Sequence, residues 1–235
     1  MENLEKELNV SLPTLQFYGS LDCPYAYLAT YRLRQIWAEY RDRLQVAWHC
    51  LSLEYINKRP VTQPLIAAER QLFAQIEPEL PFEPWARAGW DWPTTMWPAF
   101  EALASAQAQS TDAAFAMSWA LRHAFYAESR NIALRHEIMA LAAQVAADAA
   151  LDVAQFEEDW DGGRYKGTII ADSRRGWHEL QLEGSATFIL PNGRRITNPA
   201  VGEIDFDEEN YVVRSYAPFE GDAVQVYREM LESAA

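Results

Sequence analysis

Two strand-like runs bracket an amphipathic helix near the start of the chain, and that order constrains the fold more than any other feature. Thr14-Leu15-Gln16-Phe17-Tyr18-Gly19 alternates and ends in glycine, as a strand feeding a turn does. From Pro24 onward Leu33, Ile36, Trp37 and Tyr40 recur at helical spacing, with Arg32, Arg34, Glu39 and Arg41 on the other side. The pattern predicts a helix of about four turns at 1.5 Å rise per residue. Leu44 to Leu53 reads as a second strand, which a helical crossover makes parallel to the first.

The next hundred residues carry helical text. Leu65 to Ile76, Phe100 to Ala108 and Ala113 to Ala127 are each predicted helical, the last with Phe115, Trp119 and Tyr126 along one side and Ala116, Ala120 and Ala124 along another. Leu134, Ile138, Leu141 and Val145 mark a further helix. Asp152 with Gln155 resembles a capping box ahead of Phe156 and Trp160, and Gly162-Gly163 is a helix stop. One more helix is expected over Thr168 to Leu182. Strand text then returns in Ala186 to Leu190, the turn Pro191-Asn192-Gly193, and Arg194 to Thr197, a hairpin cue. The acidic stretch Glu203 to Glu209 reads as a solvated loop, and Ala223 to Leu231 as a closing helix. This order predicts an α/β protein with a βαβ unit and an αββα unit over 1–57 and 168–235, and an all-helical domain inserted between them at 58–167.

Cys23-Pro24-Tyr25-Ala26 falls at the first strand-to-helix turn. Unpaired N–H groups and the helix dipole favour a thiolate there, the form that attacks disulfides. Such turns at the carboxyl ends of parallel strands are also where open α/β sheets place sites, which ranks a functional Cys23 above a merely buried one. Asp22 acts in the opposite sense, because an adjacent carboxylate raises a thiol pKa. Cys50, inside the second predicted strand, is read as a core cysteine that does not pair with Cys23. Tyr27 is assigned to the core, and Tyr25 to either packing or contact with a thiolate.

Composition excludes several classes of function. The 235 residues carry a formal charge of -14, which repels nucleic-acid backbones and anionic membranes. No run of eighteen apolar residues occurs, and the N-terminus, Met1-Glu2-Asn3-Leu4-Glu5-Lys6, is charged where a signal peptide would be apolar, so a cytoplasmic protein is expected. Two cysteines and four histidines without ligand spacing support neither a disulfide scaffold nor a metal site. Trp85, Trp90, Trp92 and Trp97, interleaved with Pro84, Pro93 and Pro98, form either the wall of an apolar cleft or dimer interface, or a loop packed over a domain junction.

Phe17 to Leu28, with Cys23-Pro24-Tyr25-Ala26 at its centre, resembles the redox segment of cytoplasmic DsbA-family proteins of the FrnE type. It is also similar to the Ser-Pro-Tyr-x-Tyr-Leu segment of kappa-class glutathione transferases and 2-hydroxychromene-2-carboxylate isomerases. Gly184-Ser185-Ala186-Thr187-Phe188-Ile189-Leu190 resembles the family's Gly-x-Pro-Thr-Phe segment, in which a cis-proline faces the active-site cysteine. The resemblance implies a thioredoxin-like fold interrupted by a helical domain, with Cys23 as the reactive group. Pro24, Tyr25, Ala26, Ser185, Ala186 and Thr187 would line the substrate.

Two departures qualify it. Ala26 stands in place of a resolving cysteine, so a mixed disulfide on Cys23 cannot be released by a neighbouring thiol. Ala186 stands in place of the proline, and a non-proline cis bond costs about 2.5 to 4 kcal/mol, so Ser185-Ala186 is expected to be trans, or cis under strain. The resemblance therefore implies a monothiol thiol-disulfide oxidoreductase with an external thiol as resolver. It implies no obligatory cofactor, glutathione as a candidate co-substrate, a disulfide-bearing peptide or glutathione conjugate as partner, and a homodimer as a candidate assembly. The alternatives are a glutathione-dependent isomerase or transferase of the kappa type, and a thioredoxin-fold binding protein without catalysis.

Overall fold

The computed structural model describes residues 12–207 and 210–235. Strand β1, Thr14–Gly19, passes through the turn 20–23 into helix α1, Pro24–Ile36, and the chain returns through β2, Gln45–Cys50. Short helix α2, Leu53–Asn57, leads to α3, Gln63–Ile76. Helices α4, Trp97–Gln107, α5, Thr111–Tyr126, α6, Arg135–Ala149, and α7, Val153–Asp161, follow. Helix α8, Lys166–Arg174, runs into a π turn, Arg175–Glu179, where a single helix to Leu182 was expected. The chain then forms β3, Thr187–Ile189, β4, Arg195–Thr197, β5, Gly202–Asp207, β6, Val212–Pro218, and α9, Ala223–Glu232.

The main sheet has the order β2-β1-β3-β4. β1 pairs parallel with β2, Phe17 opposite Trp48, and antiparallel with β3, Phe17 opposite Phe188. Period-two alternation places these three rings on one face, where Phe17 meets Trp48 at 4.6 Å and Phe188 edge-on at 4.9 Å. Helices α5 and α9 cover that face through Phe115 against Trp48 and Tyr227 against Phe188. Tyr18, Leu51, Leu182 and Ile189 make a second apolar cluster, packed by Trp177 and Leu180. Gly176 is required there, because a Cβ would lie 2.4 Å from Leu51 Cδ1 and 3.3 Å from Tyr18 Cδ1.

Local chemistry sets the helix ends. Pro24 opens α1, where its missing N–H costs no hydrogen bond. Ser110, Asp152 and Asp222 cap α5, α7 and α9, each accepting from backbone N–H groups of the first turn. The aromatic run packs as well as walls: Trp92 stacks edge-on against Trp85 and Phe125 and donates Nε1–H to Val61 O, while Trp90 stands in solvent.

One expectation is corrected. The stretch read as an acidic loop is largely strand β5, paired antiparallel with β6 in a separate two-stranded sheet. Its acids occupy the more exposed alternate positions, Glu203 and Asp205, while Ile204 and Phe206 are half-buried, so a two-residue period lay under the charge. Glu208 and Glu209 of that stretch, like the N-terminal Met1 to Lys6, lie outside the described residues.

Phe188→Ala removes the ring that joins β3 to Phe17 and Tyr227. Denaturant unfolding should show a loss of about 3 to 5 kcal/mol; a loss under about 1 kcal/mol would show that the core is not centred on these rings.

Candidate active site at the Cys23 turn

Cys23 is the N-cap of α1, with φ -100° and ψ 116°, and its carbonyl accepts the first helical bond from Tyr27 N at 3.0 Å. The extended conformation at Cys23 and the Pro24 that follows turn the thiol away from the helix axis, toward the segment entering β3. There Cys23 Sγ donates to Ser185 O at 3.1 Å, and Ser20 N donates to Ser185 Oγ at 2.8 Å. The 20–23 turn is thus fastened at two points to one residue 162 positions further along the chain.

The Ser185-Ala186 peptide is cis, one of the two isomers the sequence left open. Its setting is built by Asn198: Ala186 N donates to Asn198 Oδ1 at 2.8 Å, and Asn198 N donates to Ala186 O at 2.9 Å. Thr187 Oγ1 bonds Gly184 O at 2.7 Å and pairs with Thr197 Oγ1 at 2.8 Å, which locks the start of β3 onto β4. Cys23 and Ser185 therefore meet directly. Ala186 has its backbone taken by Asn198, and Thr187 sits in the sheet.

The remaining predicted positions lie in the first turn of α1. Pro24 and Ala26 are buried, and Tyr25 is half-buried edge-on against Phe73. Tyr27 is buried, stacks on Tyr126 at 4.7 Å and donates its hydroxyl to Pro81 O at 2.9 Å. Cys50 is buried with Sγ 3.3 Å from Ser173 Oγ, and both cysteines are free. Among the described residues no cluster of three His, Cys, Asp or Glu side chains could hold a metal ion.

Electrostatically the balance that the sequence suggested between the helix dipole and Asp22 falls well to the side of the protonated thiol. Cys23 is 4 % exposed, and burial pushes its thiol up to about 12, against smaller opposing pulls from Ser185 and the Ala26 amide. Glu69 and Asp22 add to the rise. The helix dipole is outweighed because desolvation acts on the whole charge whereas the dipole supplies a partial one. With a thiol donating to a carbonyl, the resting site holds Cys23 protonated.

Asp22 is 1 % exposed and is raised from 3.8 to about 6, first by burial and also by Glu54, while the hydrogen bond from Ser20 Oγ and the charge of Arg122 act the other way. Its second oxygen, Oδ2, has no hydrogen-bond partner among the described residues. Arg122 was not singled out from the sequence. From α5 it reaches the floor of the turn, donating Nη2–H to Ser20 O at 3.4 Å and Nη1–H to Ser118 Oγ at 2.6 Å and Ser118 O at 3.1 Å. Beside the site, a cavity of about 160 Å³ is lined by Ile66 and Arg70 of α3, by Trp85 and Trp92, and by Phe125 and Tyr126 of α5.

A strand, a cysteine-capped helix, a parallel return strand and a late antiparallel pair bearing a cis peptide opposite the cysteine define a thioredoxin-type protein. Residues 14–208 match the family model of the DSBA-like thioredoxin domain, and the chain belongs to that family. The fold is shared with the cytosolic disulfide reductase DsbM from Pseudomonas aeruginosa at TM-score 0.65 and 22% identity, over 94% of this chain and 100% of that one. The structure of DsbM with GSH matches at TM-score 0.64 and 24% identity, over 94% and 99% of the two chains. A 2-hydroxychromene-2-carboxylate isomerase matches at TM-score 0.52 and 18% identity, over 78% of this chain and 87% of that one. No curated protein sequence matches significantly. Among the described residues no helix is long and apolar enough to cross a membrane.

The raised Asp22 carboxyl predicts a pH-dependent stability difference. A carboxyl raised on folding contributes most below its unfolded pKa of 3.8 and loses that contribution as pH rises through about 6. Asp22→Asn should therefore stabilise the protein at pH 7.5 by up to about 3 kcal/mol. The gap to wild type should close below about pH 4; a gap independent of pH would show that Asp22 is not the titrating group.

Proposed function

We propose that this protein is a monothiol thiol-disulfide oxidoreductase in which Cys23 is the nucleophile and an external low-molecular-weight thiol, such as glutathione, is the resolver. The observation that carries this reading is the contact of Cys23 Sγ with Ser185 O at the mouth of a family-typical turn, with Ala26 where a second thiol would stand. A substrate backbone donor reaching Ser185 would compete for Ser185 O and free the thiol.

The chemistry balances in three exchanges. The Cys23 thiolate attacks one sulfur of a substrate disulfide, the new Cys23–S–S–R bond forms, and the second substrate thiolate leaves and takes up a proton. A glutathione thiolate then attacks the R sulfur, forming a glutathione–R disulfide and returning the electron pair to Cys23. A further glutathione reduces that disulfide, so two glutathiones supply the two electrons the substrate gains and leave as oxidised glutathione. The likeness to a cytosolic reductase also solved with GSH supports glutathione and a cytoplasmic setting, where thiols are kept reduced.

A second reading, a glutathione-dependent isomerase or transferase, is favoured by the aromatic cavity of Trp85, Trp92, Phe125 and Tyr126 and by the fold shared with the isomerase. It requires tight glutathione binding without disulfide exchange. The buried, protonated state of Cys23 favours a third, a binding protein without catalysis.

Turnover of a glutathione mixed disulfide on a peptide, with reduced glutathione as co-substrate, separates these readings. Cys23→Ser should lower the rate at least ~100-fold, as loss of a nucleophile does, and Cys50→Ser should leave it unchanged. A Cys23→Ser variant at the wild-type rate would refute the proposal.

A further inference from the structure

Spacing put Arg32 on the polar side of α1, yet it is 2 % exposed. It follows Cys23 on the same helix by nine residues, about 13 Å along the axis at 1.5 Å per residue. There Nη1 donates to Ala200 O at 2.8 Å and to Pro199 O at 3.5 Å, and Nε donates to Glu77 Oε2 at 3.1 Å, at the C-cap of α3. Burying a guanidinium is costly even with a carboxylate partner. What this one grips is an unusual piece of backbone.

Asn198 and Ala200 have φ of 45° and 57°, the left-handed region that residues other than glycine seldom enter. Such conformations persist where the surroundings over-determine them. Ala200 has no polar side chain to hold itself, and the carbonyls around it are held from outside: Arg32 takes those of Pro199 and Ala200, and Tyr216 Oη donates to Val201 O at 3.4 Å. At the other end of the loop Asn198 Oδ1 accepts from Ala186 N at 2.8 Å, and Asn198 N donates to Ala186 O at 2.9 Å. Ala186 is joined to Ser185, whose carbonyl accepts the Cys23 thiol at 3.1 Å. A continuous series of contacts thus leaves α1 at Arg32 and returns to it at Cys23.

We propose that Arg32 is a positioning residue for Cys23: through Pro199 and Ala200, then Asn198 and Ala186, it sets where Ser185 O stands over the thiol and so governs access to it. This rests on the oxidoreductase reading above, to which it adds the element that keeps the nucleophile closed until a substrate arrives. The 20–23 turn is continuous with α1, whereas Ser185 belongs to a separate arm of the chain, so uncovering the thiol is a movement of that arm against the helix. Arg32 and Cys23 are the two points at which α1 holds the arm, and Glu77 fixes the first of them from α3.

The test is alkylation of the native protein by iodoacetamide at pH 8, with the Cys23 and Cys50 peptides followed separately by mass spectrometry. Both thiols are 4 % exposed, and Cys50 lies in β2 beside Ser173, outside the series, so its rate reports opening of the whole fold. Arg32→Met should raise the Cys23 rate about tenfold relative to that of Cys50, the order of factor given by loss of a hydrogen bond from a charged donor. Asn198→Gly, which permits the left-handed backbone but removes Oδ1, should act likewise, while Asn198→Asp, which keeps an acceptor for Ala186 N, should stay within about threefold of wild type. Because the links lie in series, the double variant of Arg32→Met and Asn198→Gly should label Cys23 no more than about twofold faster than the faster single variant. A folded Arg32→Met protein whose Cys23 and Cys50 rates rise together, or do not rise, overturns the proposal. So does a double variant whose effects multiply, or an Asn198→Asp protein as open as Asn198→Gly. Should Arg32→Met fail to fold, Glu77→Ala, at a more exposed site, frees Nε and should raise the Cys23 rate selectively; an unchanged ratio there overturns it equally. Labelling needs no disulfide substrate, so the oxidoreductase reading can fail in turnover while this result stands.

Discussion

Ser185 holds the β1–α1 turn closed with both ends of its own residue, its hydroxyl accepting from Ser20 and its carbonyl from the Cys23 thiol. Most of the site's character follows from that clasp. By covering the turn it removes Cys23 and Asp22 from water, and the loss of solvation then decides their protonation against the dipole of α1. Behind the turn the same closure leaves Arg122 with backbone and serine oxygens in place of a carboxylate. Asn198 keeps the clasp in place by holding both backbone groups of Ala186.

Under the proposed exchange, a thiol that is protonated at rest and reactive once uncovered would suit a site with Ala26 at the position of a second thiol. In a paired motif the second thiol ends an unproductive mixed disulfide; here Ala26 is buried and offers no such escape. In the same proposed exchange, keeping Cys23 protonated until a substrate displaces its contact with Ser185 O would limit stray adducts. Tyr126 joins the aromatic cavity to the site, since it lines the cavity and stacks on Tyr27 of α1.

Much of the scaffold was legible from spacing. Phe17, Leu33 and Ile36 declared a strand and a helix by period, and Pro24 and the aspartate caps declared ends. The union of Cys23 with Ser185 was accessible only through resemblance, because no local rule relates residues 162 apart. The extent of the thiol's protonation was hidden for a related reason: a helix N-terminus and Asp22 are visible in sequence, whereas desolvation is a property of the packed whole. Arg122 was hidden among the alanines and aromatics of α5, where its one local clue is Ser118, one turn earlier and now its hydrogen-bond acceptor. Strand β5 was obscured because acids at its alternate positions suggested a solvated loop.

The central claim is that Cys23, though closed off at rest, is the group that exchanges with disulfides. The most direct measurement is to expose the reduced protein to oxidised glutathione at pH 8 and locate the adduct by peptide mass. The account predicts one glutathione per chain, on Cys23, released again by reduced glutathione. No adduct, or an adduct on Cys50 with Cys23 unmodified, would contradict it.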